Sequence, residues 1–144
     1  GATRAQRIAS AWHNLAGYEH KITQRLIDGL RAFKGLTIRG ITSANAMHRR
    51  VPTVSFTLDG HHPEDLAKSF ARDNIFVWSG HNYAIEPVAR MGLMDKGGVL
   101  RVGLAHYNTE AEVDRLAELL PELLREAGHP EGKTAADPEK VFPP

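Results

Sequence analysis

The chain has 144 residues, 42% of them hydrophobic and 24% charged, which is enough for one globular domain with a buried core. Its 18 basic and 17 acidic side chains leave a formal charge of +1, so no bulk field attracts nucleic acid or an anionic membrane. The absence of cysteine excludes disulfides, zinc–thiolate sites, iron–sulfur clusters and cysteine nucleophiles from this chain.

A long amphipathic helix is the first element that the pattern predicts. Apolar side chains recur at three- and four-residue steps over 4–33, which places them on one face of a helix. Gly35 follows and suits the left-handed conformation that commonly ends a helix. The residues of this stripe are Ile8, Trp12, Leu15, Ile22, Leu26, Leu30 and Phe33.

Four strands and two further helices are predicted after the first helix. Strict alternation of apolar and hydroxyl side chains predicts the strand 51–58, and Pro63 is typical of a first helical turn. Thr109 and Glu112 have capping-box spacing, whereas Pro121 predicts a kink or break in the last helix. The elements are strands 36–40 and 51–58, a helix 63–73, a strand 75–78, a loop 79–98, a strand 99–104 and a helix from Asn108-Thr109 to Gly128.

This order predicts an α+β fold in which a small antiparallel or mixed sheet is covered by helices on one face. We expect one domain over 1–128, followed by an irregular tail over 129–144, where proline, glycine and charged residues dominate. The apolar runs are too short for a membrane-spanning helix, and the cytoplasm is the default compartment.

Arg101 is the most informative single residue. It lies in the middle of a predicted strand, on the face shared by Val99 and Gly103, with apolar neighbours on both sides. A guanidinium in that setting must pair with an anion or reach water, and its planar fork suits a bidentate carboxylate. A structural salt bridge or an exposed position on an edge strand is the alternative, which the spacing alone favours because surface ion pairs are common.

A polar cluster follows the apolar strand 75–78 and contains Ser79, Gly80, His81, Asn82 and Tyr83. Strand ends often carry binding sites because the scaffold fixes them while the loop adapts, so these residues could hold a polar ligand. An ordinary hydrogen-bonded turn is the alternative. No metal site is predicted, because the adjacent histidines 61 and 62 lack partners at ligand spacing.

Three stretches together resemble the C-terminal small domain of class V aminotransferases, and more narrowly of cysteine desulfurase-like enzymes of fold type I. They are Ile75-Phe76-Val77-Trp78-Ser79-Gly80-His81-Asn82-Tyr83-Ala84, Val99-Leu100-Arg101-Val102-Gly103-Leu104 and His106-Tyr107-Asn108-Thr109-Glu110-Ala111-Glu112-Val113-Asp114-Arg115-Leu116. The resemblance implies that Arg101 binds the carboxylate of an amino-acid substrate. It also implies a pyridoxal phosphate (PLP) cofactor and a homodimer for the intact enzyme.

In that family a lysine in a preceding large domain holds PLP as a Schiff base, within a Ser/Thr-x-His-Lys motif. His20-Lys21 echoes the motif only superficially, so we expect this chain to hold no cofactor and to need the N-terminal PLP-binding domain as its partner. We therefore expect a fragment that binds substrate and closes the active site but has no catalytic residue and is inactive alone.

The loop of true desulfurases carries a nucleophilic cysteine where this chain has Tyr83. A phenol cannot accept sulfur as a persulfide, so the resemblance favours another transferase, lyase or epimerase reaction on an amino acid. A stand-alone binding module with the same fold and no catalytic role is the alternative interpretation.

Overall fold

The computed structural model of the chain describes residues 1–127, so the predicted end of the last helix at Gly128 and the tail lie outside the described residues. In chain order the elements are α1 (Arg4–Arg31), β1 (Leu36–Arg39), a 3-10 helix (Ala44–Arg49), β2 (Thr53–Leu58), α2 (Pro63–Arg72), β3 (Trp78–Gly80), α3 (Ile85–Arg90), a 3-10 turn (Met94–Lys96), β4 (Val99–Gly103) and α4 (Glu110–Ala127). None of the described helices is both long and apolar enough to cross a bilayer.

The four strands form an antiparallel sheet in the order β1-β2-β4-β3, which confirms the predicted α+β class. Because β4 lies between β2 and β3, the chain crosses over it through α2. Alternate residues of β2 are fully or almost fully buried, and they pack with apolar residues of α1, α2 and α4. The other face of the sheet is covered mainly near Val99, which packs with Val88 and Leu93. We call the remainder of this second face the open face.

The predicted stripe of α1 divides into two parts. Its C-terminal part is fully buried at Ile22, Leu26 and Leu30 against the sheet and α4. Its N-terminal part extends away from the core, so that residues 1–14 are all exposed and Trp12 remains 68% accessible. The pattern alone could not separate these parts, because an apolar stripe records a helical face and not the partner that covers it.

Three predicted elements need correction. The strand expected over 75–78 is paired only from Trp78 to Gly80, because residues 75–77 separate from β4 and border a cavity of about 190 Å³. The expected loop 79–98 contains the end of β3, the six-residue α3 and a 3-10 turn, elements too short to produce a sequence period. Pro121 does not break α4, which continues through it.

Ion pairs join α1 to α4 on the protein surface. Arg25 binds Asp114 through two hydrogen bonds of 2.5 and 2.7 Å, and Lys21 donates to Glu110 at 2.6 Å. Donation from Lys21 lowers the pKa of Glu110, and donation from Arg25 lowers the pKa of Asp114. Both carboxylates are therefore more acidic in the folded chain than in the unfolded chain.

The stability of the folded chain should consequently fall in acid. A carboxyl group whose pKa is lower in the folded chain stabilises the fold at any pH above its ordinary pKa, which is 4.5 for Glu110 and 3.8 for Asp114. This stabilisation is lost as the pH falls below that pKa and through the lower pKa of the folded chain. Urea unfolding between pH 7 and pH 3, repeated for Asp114→Asn, measures the effect. The variant should show a shallower loss of stability below about pH 4, and an identical slope would contradict the assignment.

Candidate functional site

Arg101 lies at the centre of the open face of the sheet. The strand register pairs it with Ser55 of β2 on one side and with Trp78 of β3 on the other. Arg39 of β1 lies beyond Ser55 in the same cross-strand row. The predicted faces of β4 are confirmed, since Leu100 and Val102 are buried and Arg101 is exposed.

Arg101 also differs from its arginine neighbours in having no partner. Within residues 1–127 it makes no hydrogen bond or ion pair, so the described chain offers no structural salt bridge to explain it. Arg39, by contrast, donates to Thr57 Oγ1 at 2.7 Å. Arg50 donates to backbone carbonyl groups, among them Thr53 O at 2.6 Å, and partial burial lowers its pKa. Arg101 lines neither of the two described cavities, and within residues 1–127 its guanidinium is unpaired on an exposed part of the sheet.

The polar cluster 79–83 forms a strained turn at the end of β3. Gly80, Asn82 and Tyr83 have positive φ values of 107°, 50° and 60°, a region that non-glycine residues seldom occupy. Local hydrogen bonds hold the turn: Asn82 Nδ2 donates to Gly80 O at 3.1 Å, and Tyr83 N donates to His81 Nδ1 at 3.2 Å. The Tyr83 side chain is 98% exposed. Such strain occurs frequently at functional sites.

Two glycines allow the chain to return close to this turn. A Cβ atom at Gly98 would overlap the backbone carbonyl of Gly80, and one at Gly97 would overlap the imidazole of His62. Both glycines also have positive φ values. Gly98 forms a bridge with Gly80, so the glycine-rich segment after α3 holds the end of β3 in place.

The five residues of the polar cluster do not all lie on the same side of the sheet as Arg101. Ser79 pairs with Leu100 and therefore lies on the covered side of the sheet, opposite to Arg101. Trp78, which the sequence placed only in an apolar strand, is the direct neighbour of Arg101. In the sequence, Phe76 and Trp78 alternate with Ile75 and Val77, which indicates that Trp78 faces the side opposite to Val77. Only the strand register shows that Trp78 lies beside Arg101.

The histidines next to the site have structural roles. His62 caps α2, its Nδ1 accepting from Glu64 N at 3.3 Å, while His61 Nδ1 lies 2.9 Å from Asp59 O. Across residues 1–127 no group of three or more histidine, aspartate or glutamate side chains could hold a metal ion.

The lysines of residues 1–127 do not fit a PLP-binding site. Lys21 binds Glu110 on the surface between α1 and α4, and Lys68 binds Glu64 at 2.8 Å. Lys34 and Lys96 are exposed, and none of the four lines a described cavity. The described residues therefore provide no enclosed amine that could hold the cofactor.

Comparison with known proteins gives consistent matches. A sequence model of the family Aminotransferase class-V matches residues 8–116. The chain is 34% identical to an aminotransferase-like protein of Gibberella zeae, over 78% of this chain and 28% of that protein. It is 30% identical to a probable cysteine desulfurase of Halalkalibacterium halodurans, over 78% of this chain and 25% of that one.

Solved structures agree with these matches. The structure of an apo cysteine desulfurase from Thermococcus onnurineus superposes with a TM-score of 0.66 at 27% identity, over 78% of this chain and 26% of that chain. A NifS-like protein superposes with a TM-score of 0.64 at 28% identity, over 85% of this chain and 32% of that chain. The chain thus spans about a quarter to a third of the length of these relatives.

Proposed function

Because the chain belongs to the class V aminotransferase family, we propose that it is the C-terminal small domain of a PLP-dependent enzyme acting on an amino acid. In this proposal the chain binds the substrate carboxylate and closes one side of the active site. Catalysis requires the N-terminal large domain, and the intact enzyme is a homodimer.

The guanidinium of Arg101, which has no partner within residues 1–127, is the observation that carries this proposal. Its strand fixes the Cα position at the centre of the sheet, and no internal acid competes for the side chain within residues 1–127. A guanidinium presents parallel N–H groups that match the two oxygens of a carboxylate, which orients a substrate as well as binding it. Replacing Arg101 in the intact enzyme tests this role through the kinetics of the amino-acid substrate.

Residues 80–83 of the turn line the entrance to the site in this proposal, whereas Ser79 lies on the covered side of the sheet. Local hydrogen bonds and left-handed residues fix the turn, and the exposed phenol of Tyr83 projects from it. A phenol can donate or accept a hydrogen bond but cannot carry a persulfide, and the chain contains no cysteine. The proposed reaction is therefore a transferase, lyase or epimerase reaction and not sulfur transfer through a cysteine of this domain.

PLP supplies the electron sink for such chemistry, and in this proposal it is held by the rest of the intact enzyme. Titrating the 144-residue chain with PLP should produce no saturable visible absorption band, because the described lysines are exposed or paired on the surface. Weak imine formation with surface lysines should rise linearly with PLP concentration. A saturable band that disappears in Lys21→Ala would contradict the proposal.

A further inference from the structure

A notch lies beside Arg101 on the open face of the sheet. Arg101 is followed on this face of β4 by Gly103, which pairs with Thr53 on the neighbouring strand. Gly103 is exposed, and apart from Gly103 itself and its two chain neighbours no described residue has an atom within 4 Å of the position that its Cβ would occupy. Next to the exposed guanidinium there is therefore a position of bare backbone that no described side chain covers.

Two exposed aromatic side chains stand on the β3 side of this notch. Trp78 is the cross-strand neighbour of Arg101 and is 70% exposed, and Phe76 is 81% exposed. Their neighbours Ile75 and Val77 pack against the core, so the aromatic pair faces the open side. Phe76 and Gly103 both border the cavity that extends to α1 and α4, but no atom of Phe76 lies within 4 Å of the Cβ position of Gly103. Exposed aromatic side chains concentrated beside a charged group are typical of a binding surface.

We infer that this notch selects a carboxylate ligand carrying a flat apolar group, the carboxylate binding Arg101 and the apolar group lying on Gly103 against Trp78 and Phe76. The inference rests on the proposed function, since it assigns the substrate class of the same site. It follows from complementarity: one cation, one bare backbone position and two exposed aromatic side chains match an acid with an aromatic or large planar side chain. A small polar amino acid would leave the aromatic surface in contact with water.

NMR titration of the isotope-labelled 144-residue chain tests the inference. The probes are 3-phenylpropionate, which has the ring and the charge, propionate, which has only the charge, and 3-phenylpropionamide, which has only the ring. The chain contains two tryptophans, so Trp12→Phe assigns the indole signal of Trp78. Phenylpropionate should shift that signal saturably with a Kd about tenfold below that of propionate, which is the effect of covering one face of a phenyl ring, and the amide should not saturate.

Two variants separate the notch from the cation. At Gly103 an added Cβ atom meets no other group and the backbone does not require glycine, so Gly103→Val should occupy the notch, keep propionate binding at Arg101 and lose the tenfold preference for the ring. Arg101→Ala should lose the binding of both carboxylates.

Each result has a distinct consequence. An unchanged preference in Gly103→Val, or no saturable shift of the Trp78 signal by about 20 mM phenylpropionate, overturns the inference about the ring. The aromatic pair would then be a surface that the rest of the protein covers. Carboxylate binding that survives Arg101→Ala overturns the carboxylate role itself, and with it the proposed function. Carboxylate binding that depends on Arg101 but shows no preference for the ring leaves the proposed function intact and removes only the further inference.

Discussion

In the proposed PLP-dependent enzyme, replacing Arg101 with Ala is expected to lower kcat/KM for the proposed amino-acid substrate about 100-fold. A charge-assisted, bidentate pair between guanidinium and carboxylate contributes roughly 2–4 kcal/mol once it is shielded from water, and about 1.4 kcal/mol corresponds to a factor of ten. In the isolated chain Arg101 is exposed, so this contribution depends on closure of the site by the rest of the enzyme.

Steady-state kinetics with Arg101→Ala, Arg101→Lys and a matched control measure this effect. Arg101→Lys keeps the charge but loses the planar fork, so it should recover only part of the loss. Arg125→Ala removes an exposed arginine from α4, which packs on the covered side of the sheet, and should leave kcat/KM unchanged. The absorbance of bound PLP should be the same in all three variants. An unchanged kcat/KM in Arg101→Ala would exclude the proposed role.

Replacing Phe56 with Ala should destabilise the chain by about 3–5 kcal/mol, which approaches the total stability of many small domains. Phe56 lies in the middle of β2, is 0% exposed and pairs with both Ile38 and Leu100. Truncation to Ala removes apolar surface from the core and leaves a cavity that the packed sheet and helices can fill only in part. The open face should keep its geometry only while the core beneath it remains packed.

Urea unfolding of Phe56→Ala, Phe56→Leu and Phe76→Ala measures the contribution of burial. Phe56→Leu should cost less than about 1.5 kcal/mol because most of the volume is kept. Phe76→Ala removes the same ring from an 81% exposed position and should change stability by less than about 0.5 kcal/mol. Equal losses for Phe56→Ala and Phe76→Ala would show that the core is not organised around β2.

Local patterns predicted the parts of the fold that depend on short-range interactions. The capping box is present as predicted, with Thr109 N donating to Glu112 Oε2 at 2.7 Å and Glu112 N donating to Thr109 Oγ1 at 3.3 Å. Pro63 opens α2 as expected. These interactions join residues three or fewer positions apart, so the sequence contains nearly all the information that they need.

The geometry of the candidate site depended on long-range pairing. Trp78 and Arg101 become neighbours because β3 pairs with β4 in one particular register, and the close approach of Gly98 to Gly80 supports that pairing. A strand period of two assigns a residue to a face but does not say which residue lies beside it on the next strand. Gly103 pairs with Thr53 of β2 and has no partner on β3, an arrangement that could not be read from the residues alone.

The sequence by itself determined the α+β class, the two faces of β4 and the absence of a cysteine nucleophile. Alternation and composition are properties of the chain that do not depend on which elements pack together. Only the tertiary structure decided that Arg101 has no acidic partner within residues 1–127 and that Trp78 lies beside it. The physical reason is that the binding properties of a charged side chain depend on the groups around it. Strands β2, β3 and β4 bring those groups together from distant parts of the chain.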